Sequence, residues 1–342
     1  MPMAVKRGPA LPERGLCPGA ILLEEQSDFA AFNRQTGVRH GLFMTFVDFP
    51  EVVEPGEPHY GKLTRFLAGC REVRAIPVIT VECFHGLDSY NAGQVARFAE
   101  RVSRESWTAP IVRWNHEMNG SWYPWGQQPE KYVERFREFA AVLHREAPDA
   151  AMAWTPNQGW GYPWPGCKFA NPHLSSGDPY TPYYPGDDVV DWVGISYYHW
   201  GETRGANEVP PRGKWGQALG FGNPVGNFHD LFAAAHGKPM MIAETSALFD
   251  LGDTKKGGAS EVEIKCEWIR QVYNITDDTQ PRLDRDLPLL KAIFWFSILK
   301  REEEVGGMVD WRVSENPQVV ECYRLAVSAA AASQGHILSG LP

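Results

Sequence analysis

The sequence lacks long hydrophobic runs, blocks of one charge and phosphate-binding glycine loops. No stretch approaches the roughly 18 consecutive apolar residues that a membrane helix needs, which argues against a membrane-spanning protein. No run of lysine and arginine exceeds two residues, and the formal net charge is −9. Because nucleic acids are bound through cationic surface, we expect neither a nucleic acid nor a membrane as the partner.

Paired cysteine motifs are also missing. None of the six cysteines forms a C-x-x-C pair, which excludes a zinc ribbon or a thioredoxin-like motif. They are either buried thiols or include one or two disulfides, and the sequence does not pair them. Residues 1–19 carry basic side chains but no apolar segment of the kind found in signal peptides, so no leader is predicted and the localisation stays open.

Aromatic residues, by contrast, are abundant. The chain has 13 Trp, 12 Tyr and 17 Phe residues, which together make 12% of the sequence. Sugars present flat C–H faces that stack on such rings, although most rings in any protein fill the core. An acidic protein with many aromatic residues fits a neutral ligand better than an acidic polymer.

Short apolar runs alternate with amphipathic segments along the whole chain. Eight runs are predicted as strands: Gly19–Leu23, Gly41–Val47, Ala75–Val81, Pro110–Trp114, Ala151–Thr155, Trp192–Tyr197, Pro239–Ala243 and Ala292–Phe296. Helical spacing is clearest from Pro129 to Glu146, and recurs at Val95–Val102 and Val262–Val272. Continuous apolar strands separated by helices are typical of a parallel sheet covered on its outside.

Eight such repeats predict an α/β fold, a single (β/α)8 TIM barrel. A barrel of this kind needs about 250 residues, so the 342-residue chain is expected to form one catalytic domain over residues 1–342 with long aromatic-rich loops. The Pro-, Gly-, Tyr- and Trp-rich segment Asn157–Asp191 is the longest of them. In barrels the loops that follow strand C-termini build the active face, so a functional loop is expected here, with an Ω-loop as the alternative.

Two glutamates directly follow apolar runs. Glu117 comes after the fourth predicted strand, and Glu244 ends the seventh. In an eight-stranded ring these strand ends are three apart and face one another across the barrel mouth. A pair of facing carboxyl groups is what double-displacement glycoside hydrolysis requires, one as acid/base and one as nucleophile. The alternative for any single Glu is a solvated surface charge.

Metal chemistry is a weaker hypothesis. His116 and Glu117 begin a zincin-like pair, but position 120 is Gly, so the second histidine is missing. His85, His116 and His199 all fall near predicted strand ends and could gather a metal ion. We expect no metal and no cofactor.

Four segments carry motifs that occur together in one known family. The segment Arg113–Gly126, RWNHEMNGSWYPWG, resembles the acid/base motif of glycoside hydrolase family 26, the β-mannanase and lichenase family of retaining endo-β-glycanases. The likeness extends to YYPGDDVVDWVGISYY at 183–198, to MIAET at 241–245, and to AIFWFSILK at 292–300 followed by Asp310–Arg312. These motifs occur in the order that the family has.

The resemblance implies the catalytic roles. It makes Glu117 the acid/base and Glu244 the nucleophile, with Tyr198 donating a hydrogen bond to the nucleophile. It also implies sugar contacts for four further residues: His116 in the −1 subsite, Trp122 and Trp125 in the groove beside the acid/base, and Trp295 as the platform beneath the −1 sugar. Without the resemblance, His116 is equally a satisfied core histidine, the two loop tryptophans pack the loop, and Trp295 points outward under a helix.

Two positions depart from the family pattern. The family often carries Asp where Ser196 stands and Asn where Ser297 stands, and these departures leave the identity of the sugar in the substrate open. We therefore expect a monomeric retaining endo-β-glycanase that hydrolyses a neutral polysaccharide, either mixed-linkage β-1,3-1,4-glucan or β-1,4-mannan. A β-1,3-xylanase, an exo-acting relative, a metal-dependent hydrolase and a non-catalytic carbohydrate-binding barrel are the alternatives. Secretion is the family expectation.

Overall fold

Eight parallel strands form a closed barrel in chain order in the computed structural model, which describes residues 7–9, 15–23, 28–159, 179–223 and 226–333. The barrel strands are β1 (Cys17–Ile21), β2 (Leu42–Asp48), β3 (Ile76–Glu82), β4 (Ile111–Trp114), β5 (Ala151–Trp154), β6 (Trp192–Ser196), β7 (Met240–Thr245) and β8 (Leu290–Phe296). Two more strands, β9 (Leu299–Glu302) and β10 (Gly307–Asp310), pair antiparallel outside the barrel.

Helices alternate with these strands. They are α1 (Phe29–Thr36), α2 (Pro58–Val73), α3 (Ala92–Glu105), α4 (Pro129–Glu146), α5 (Lys214–Ala218), α6 (Glu261–Val272) and α7 (Pro317–Ser333), with a 3-10 turn at Thr181–Tyr183 and a π-helical segment at His229–Ala234. The predicted (β/α)8 barrel is confirmed. No described helix is both long and apolar enough to cross a membrane.

Every predicted strand overlaps an observed one, and the longest predicted helix has the observed bounds. The first strand is displaced by two residues at both ends, since it spans Cys17–Ile21 rather than Gly19–Leu23. Pro18 and Gly19 pair in register with Ile293 and Phe294 of β8. Of the long loop, residues 160–178 lie outside the described residues. Whether residues 1–342 form a single catalytic domain stays a prediction.

The chain divides into two compact units. The first contains Met1–Leu11, Phe43–Ser196 and His236–Pro239. Its outer layer is aromatic: Trp114 lies 5.3 Å from Tyr132 and 5.9 Å from Phe139 between ring centroids. Both partners belong to the apolar stripe of α4, which explains why that helix was recognisable from sequence.

The second unit contains Pro12–Leu42, Tyr197–Ala235 and Met240–Pro342. Helix α6 begins at a capping box, in which Ser260 accepts from the Glu263 backbone and the Glu263 side chain accepts from the Ser260 backbone. A disulfide joins Cys266 on α6 to Cys322 on α7 across a sequence separation of 56 residues.

Three other cysteines among the described residues, Cys17, Cys70 and Cys83, are buried thiols, and Cys167 lies outside the described residues. Burial raises the pKa of Cys17 and of Cys83 to about 12 and that of Cys70 well above its usual value. A thiol is nucleophilic as its thiolate, so these three side chains are poor candidates for nucleophiles.

Replacing the bridged cysteine, Cys266→Ser, is expected to lower the free energy of unfolding by about 2–4 kcal/mol, because the unfolded chain regains the freedom of a long closed loop. Urea denaturation in non-reducing buffer measures the loss. A reducing buffer should bring the wild type to the stability of the variant and leave the variant unchanged. Equal stability of the two proteins in non-reducing buffer would contradict the expectation.

Candidate active site

The backbone turns sharply where β4 ends. Asn115 and Glu117 both adopt positive φ angles, of 43° and 54°, a conformation that residues other than glycine rarely take. Three hydrogen bonds hold the turn: Asn115 N donates to Val81 O at 2.8 Å, Cys83 N donates to Asn115 Oδ1 at 2.8 Å, and Glu117 N donates to Thr155 O at 2.9 Å. Backbone strain of this kind concentrates at functional sites.

Two donors hold the Glu117 carboxyl group. Trp122 Nε1 donates to Oε2 and Asn157 Nδ2 donates to Oε1, each at 2.8 Å. The side chain is buried except for 7% of its surface. Both donors are N–H groups, which cannot accept a proton from the carboxyl group.

Asn157 is itself held by Asn119. The Asn119 amide donates to Asn157 O at 2.8 Å and accepts from Asn157 N at 2.8 Å, as a neighbouring strand would. Asn119 is fully buried. The pair fixes the donor that orients Glu117, and neither Asn119 nor Asn157 was singled out from the sequence. Its position in the sequence could have identified Asn157, because Asn157 follows β5 just as Glu117 follows β4.

His116 is buried and hydrogen-bonded, as the core-histidine alternative expected. Its Nε2 lies 3.1 Å from the Tyr123 hydroxyl, and its Nδ1 lies 4.0 Å from Glu82 Oε1. Burial, with the nearby Arg113 guanidinium as a smaller cause, holds the pKa of His116 well below its usual value. The imidazole is therefore neutral, and its role in sugar binding stays a prediction.

The two loop tryptophans differ in exposure. Trp122 is 46% exposed, whereas Trp125 is fully buried. Tyr123 stacks on Trp125 with ring centroids 4.4 Å apart, and Trp125 Nε1 donates to His116 O at 2.7 Å. Trp125 therefore supports the loop from below, while Trp122 is the ring that a ligand can reach.

A charged side chain lies among the strands of the first unit. Arg113 on β4 is fully buried and donates through Nε to Thr155 Oγ1 at 2.7 Å and through Nη2 to Ser196 Oγ at 2.9 Å. Ser196 thus accepts from a cation at the position where the family often has a carboxylate. Ser297, the other departure, accepts from Val313 N at 3.2 Å.

In the second unit, Glu244 is the fifth residue of β7 and is 5% exposed. Tyr198 donates its hydroxyl proton to Glu244 Oε2 at 2.5 Å, and Tyr197 N donates to Glu244 O at 2.9 Å. The Tyr198 ring is enclosed by Phe296 at 5.6 Å and Trp311 at 5.3 Å between centroids. A charge-assisted hydrogen bond of this length fixes the rotamer of the carboxylate.

Trp295 lies on the outer side of β8. Its side chain is fully buried, its ring centroid is 5.8 Å from that of Tyr323 on α7, and its Nε1 donates to Trp311 O at 3.2 Å. This placement matches the alternative in which Trp295 points outward under a helix. The ring beside Tyr198 belongs instead to the next residue, Phe296, and to Trp311, which sequence reasoning did not select.

No group of three or more metal-ligating side chains occurs among the described residues. The three histidines proposed as an alternative metal set have other partners: His85 lies 3.0 Å from Glu51 Oε1, His116 contacts Tyr123, and His199 Nε2 lies 2.6 Å from Glu208 O.

Known proteins agree with the family resemblance. The chain is 24% identical over 262 residues to endoglucanase H of Acetivibrio thermocellus, covering 74% of this chain and 23% of that protein. It is 26% identical over 182 residues to a β-1,3-xylanase of an Alcaligenes species, covering 49% of this chain and 32% of that one. No protein-family model matches the chain.

Among solved structures, a modular endo-β-1,4-mannanase from Cellulomonas fimi, described with the family 26 mannanases, matches with a TM-score of 0.59. The match has 14% identity and covers 96% of this chain and 75% of that structure. These matches confirm that the chain resembles family 26 and that it is similar to known glycoside hydrolases. Since the chain spans about a quarter to a third of the length of the curated relatives it matches, its own activity is a proposal.

Asn157→Ala should lower kcat/KM for a glycan by about 10–100-fold, because Glu117 loses one of the two donors that aim it, and a hydrogen bond to a charged group contributes about 1.5–3 kcal/mol. The loss should be smaller for a dinitrophenyl glycoside, whose leaving group needs no proton. Initial rates on the two substrates make the test. A variant that lost activity equally on both would contradict a positioning role toward the acid.

Tyr198→Phe should lower activity by a similar factor on both substrates if Glu244 has the predicted role of nucleophile, since a nucleophile attacks either substrate. Tyr197→Phe is the matched control, because its ring packs on Trp268 at 5.3 Å, away from the carboxyl group. Unchanged kcat in Tyr198→Phe would show that the hydrogen bond to Glu244 has no catalytic part.

Proposed function

We propose that the chain is a retaining endo-β-glycanase in which Glu117 is the acid/base and Glu244 the nucleophile. One observation supports this most. Two buried carboxyl groups at the ends of β4 and β7 are each held by side-chain donors, Glu117 by Trp122 and Asn157, and Glu244 by Tyr198. In (β/α)8 enzymes, catalytic groups come from the C-terminal ends of several strands, which share one rim.

In the first step, Glu117 gives its proton to the glycosidic oxygen while Glu244 attacks the anomeric carbon. The bond from that carbon to the leaving oxygen breaks, and a covalent glycosyl-enzyme forms. In the second step, Glu117 takes a proton from water, the water oxygen attacks the same carbon, and Glu244 leaves as a carboxylate. Two inversions give a product with the starting anomeric configuration.

The held geometry suits this exchange of roles. Trp122 and Asn157 donate to Glu117 without accepting its proton, so they orient the carboxyl group in both of its protonation states. Tyr198 donates to one oxygen of Glu244, which keeps that group aimed as an anion. The exposed Trp122 ring beside the acid gives a sugar an apolar surface next to the bond to be cleaved.

The proposed substrate is a neutral β-linked polysaccharide. The matched proteins are named as an endoglucanase, a β-1,3-xylanase and a β-1,4-mannanase, and the net charge of −9 disfavours acidic polymers. We place mixed-linkage β-1,3-1,4-glucan and β-1,4-mannan first and β-1,3-xylan third. Endo action, a monomeric state and the absence of any cofactor belong to the same proposal.

The test incubates the purified chain with lichenan, β-1,4-mannan and β-1,3-xylan, and reads products by chain length and by the NMR signal of the newly released anomeric proton. Glu117→Ala and Glu244→Ala should each lower kcat by several orders of magnitude with the fold intact, because each removes a group that takes part in bond breaking. Glu134→Ala, an exposed glutamate on α4, is the control and should match the wild type.

Azide separates the two roles. Added to Glu117→Ala with an activated aryl glycoside, it should replace water in the second step and give a glycosyl azide of retained configuration. Added to Glu244→Ala, it should replace the nucleophile and give the inverted azide. Near-normal rates in either alanine variant, or a product of inverted configuration from the wild type, would overturn the proposal.

A further inference from the structure

Phe84 is an apolar ring that remains largely exposed. It stands two residues after β3, and 42% of its surface is accessible. Among the described residues, the large apolar side chains that remain exposed include two aromatic ones, Phe84 and Trp122. These two lie on consecutive loops, after β3 and after β4.

Both exposed rings contact Tyr123, and Phe84 also contacts the buried Trp125. The Phe84 ring lies 6.2 Å from Tyr123 and 5.3 Å from Trp125 between centroids, edge to face in both cases. The Trp122 ring lies 6.4 Å from the same Tyr123. Since Trp122 also donates to Glu117, an unbroken series of aromatic contacts leads from the acid/base to Phe84.

Hydrogen bonds hold the loop that carries Phe84 in one conformation. Cys83 N donates to Asn115 Oδ1 at 2.8 Å, which ties the loop to the turn that bears Glu117. Gly86 N donates to Cys83 O at 2.8 Å, and Gly86 has a φ of 93°, which a residue with a side chain rarely adopts. A ring on a preformed turn loses little conformational freedom when a ligand stacks on it.

A polar pair includes His85, the residue that follows Phe84 in sequence. His85 Nε2 lies 3.0 Å from Glu51 Oε1, and their side chains are 67% and 36% exposed. The carboxylate has further acceptor positions, and the imidazole has a second ring nitrogen. A pyranose ring has C–H faces and hydroxyl edges, so it can use an apolar ring at Phe84 together with the imidazole of the next residue, His85, and the carboxylate that His85 contacts.

We propose that Phe84 is the platform of a further sugar subsite, which binds one neutral pyranose unit of the polysaccharide beyond the units that flank the cleaved bond, with Glu51 and His85 as the polar partners of its hydroxyl groups. The inference rests on the proposed function, because it takes Glu117 as the point of cleavage. It adds that recognition extends along the loop after β3.

The first experiment compares long and short substrates. For Phe84→Ala, the ratio of kcat/KM on the polysaccharide to kcat/KM on a dinitrophenyl glycoside of one sugar should fall about tenfold, a loss of about 1.4 kcal/mol, carried by KM. Phe84→Trp should restore the ratio, since it keeps an aromatic face. Leu251→Ala, which removes another exposed apolar side chain, should leave the ratio unchanged.

The second experiment measures binding without turnover. In a Glu117→Gln background, titration calorimetry with mannohexaose and with a mixed-linkage glucan hexasaccharide should show affinity about tenfold weaker when Phe84 is alanine. Hydrolysis by the wild type with an unchanged ratio and unchanged affinity in Phe84→Ala would overturn the subsite alone. Ring-dependent binding without any hydrolysis would overturn the proposed function and keep the subsite, and neither hydrolysis nor binding would overturn both.

Discussion

The placement of Glu117 is the constraint on which the rest of the site depends. Its left-handed backbone, with that of Asn115, turns the chain out of β4 and aims the carboxyl group at Trp122 and Asn157. The neighbouring loops are built to hold it: Cys83 after β3 donates to Asn115, and Asn157 after β5 is clasped by Asn119. A conformation that costs free energy persists when surrounding contacts over-determine it in this way.

The two proposed catalytic groups are held by different means. Glu117 accepts hydrogen bonds from N–H donors of its own and the next loop, whereas Glu244 lies inside a strand and accepts from a phenol that packs against Phe296 and Trp311. Such a division fits one group that must exchange a proton and another that must stay fixed while it forms a bond. Hydrogen-bond geometry, rather than charge alone, therefore distinguishes the two proposed roles.

The sequence predicted the barrel well because apolar runs and helical stripes are local patterns, as in the stripe of α4 that packs on Trp114. Glu117, Glu244 and Tyr198 were accessible through strand-end position and family motifs. The orientation of Trp295 was not, since its face depends on the register of β8 with β1, and neither was the burial of Trp125. Asn157 and Phe84 were not selected from the sequence, because their proposed roles depend on contacts between loops that are separated in the chain.

A crystal structure of the chain would give the distance between the two carboxyl groups, which distinguishes a retaining from an inverting mechanism. Retaining glycosidases separate their two carboxyls by about 5–5.5 Å, and inverting ones by about 6.5–9.5 Å to leave room for a water molecule. The proposed retaining mechanism requires the shorter distance between Glu117 and Glu244. A separation in the longer range or beyond it, or carboxyl groups at opposite ends of the barrel, would contradict it.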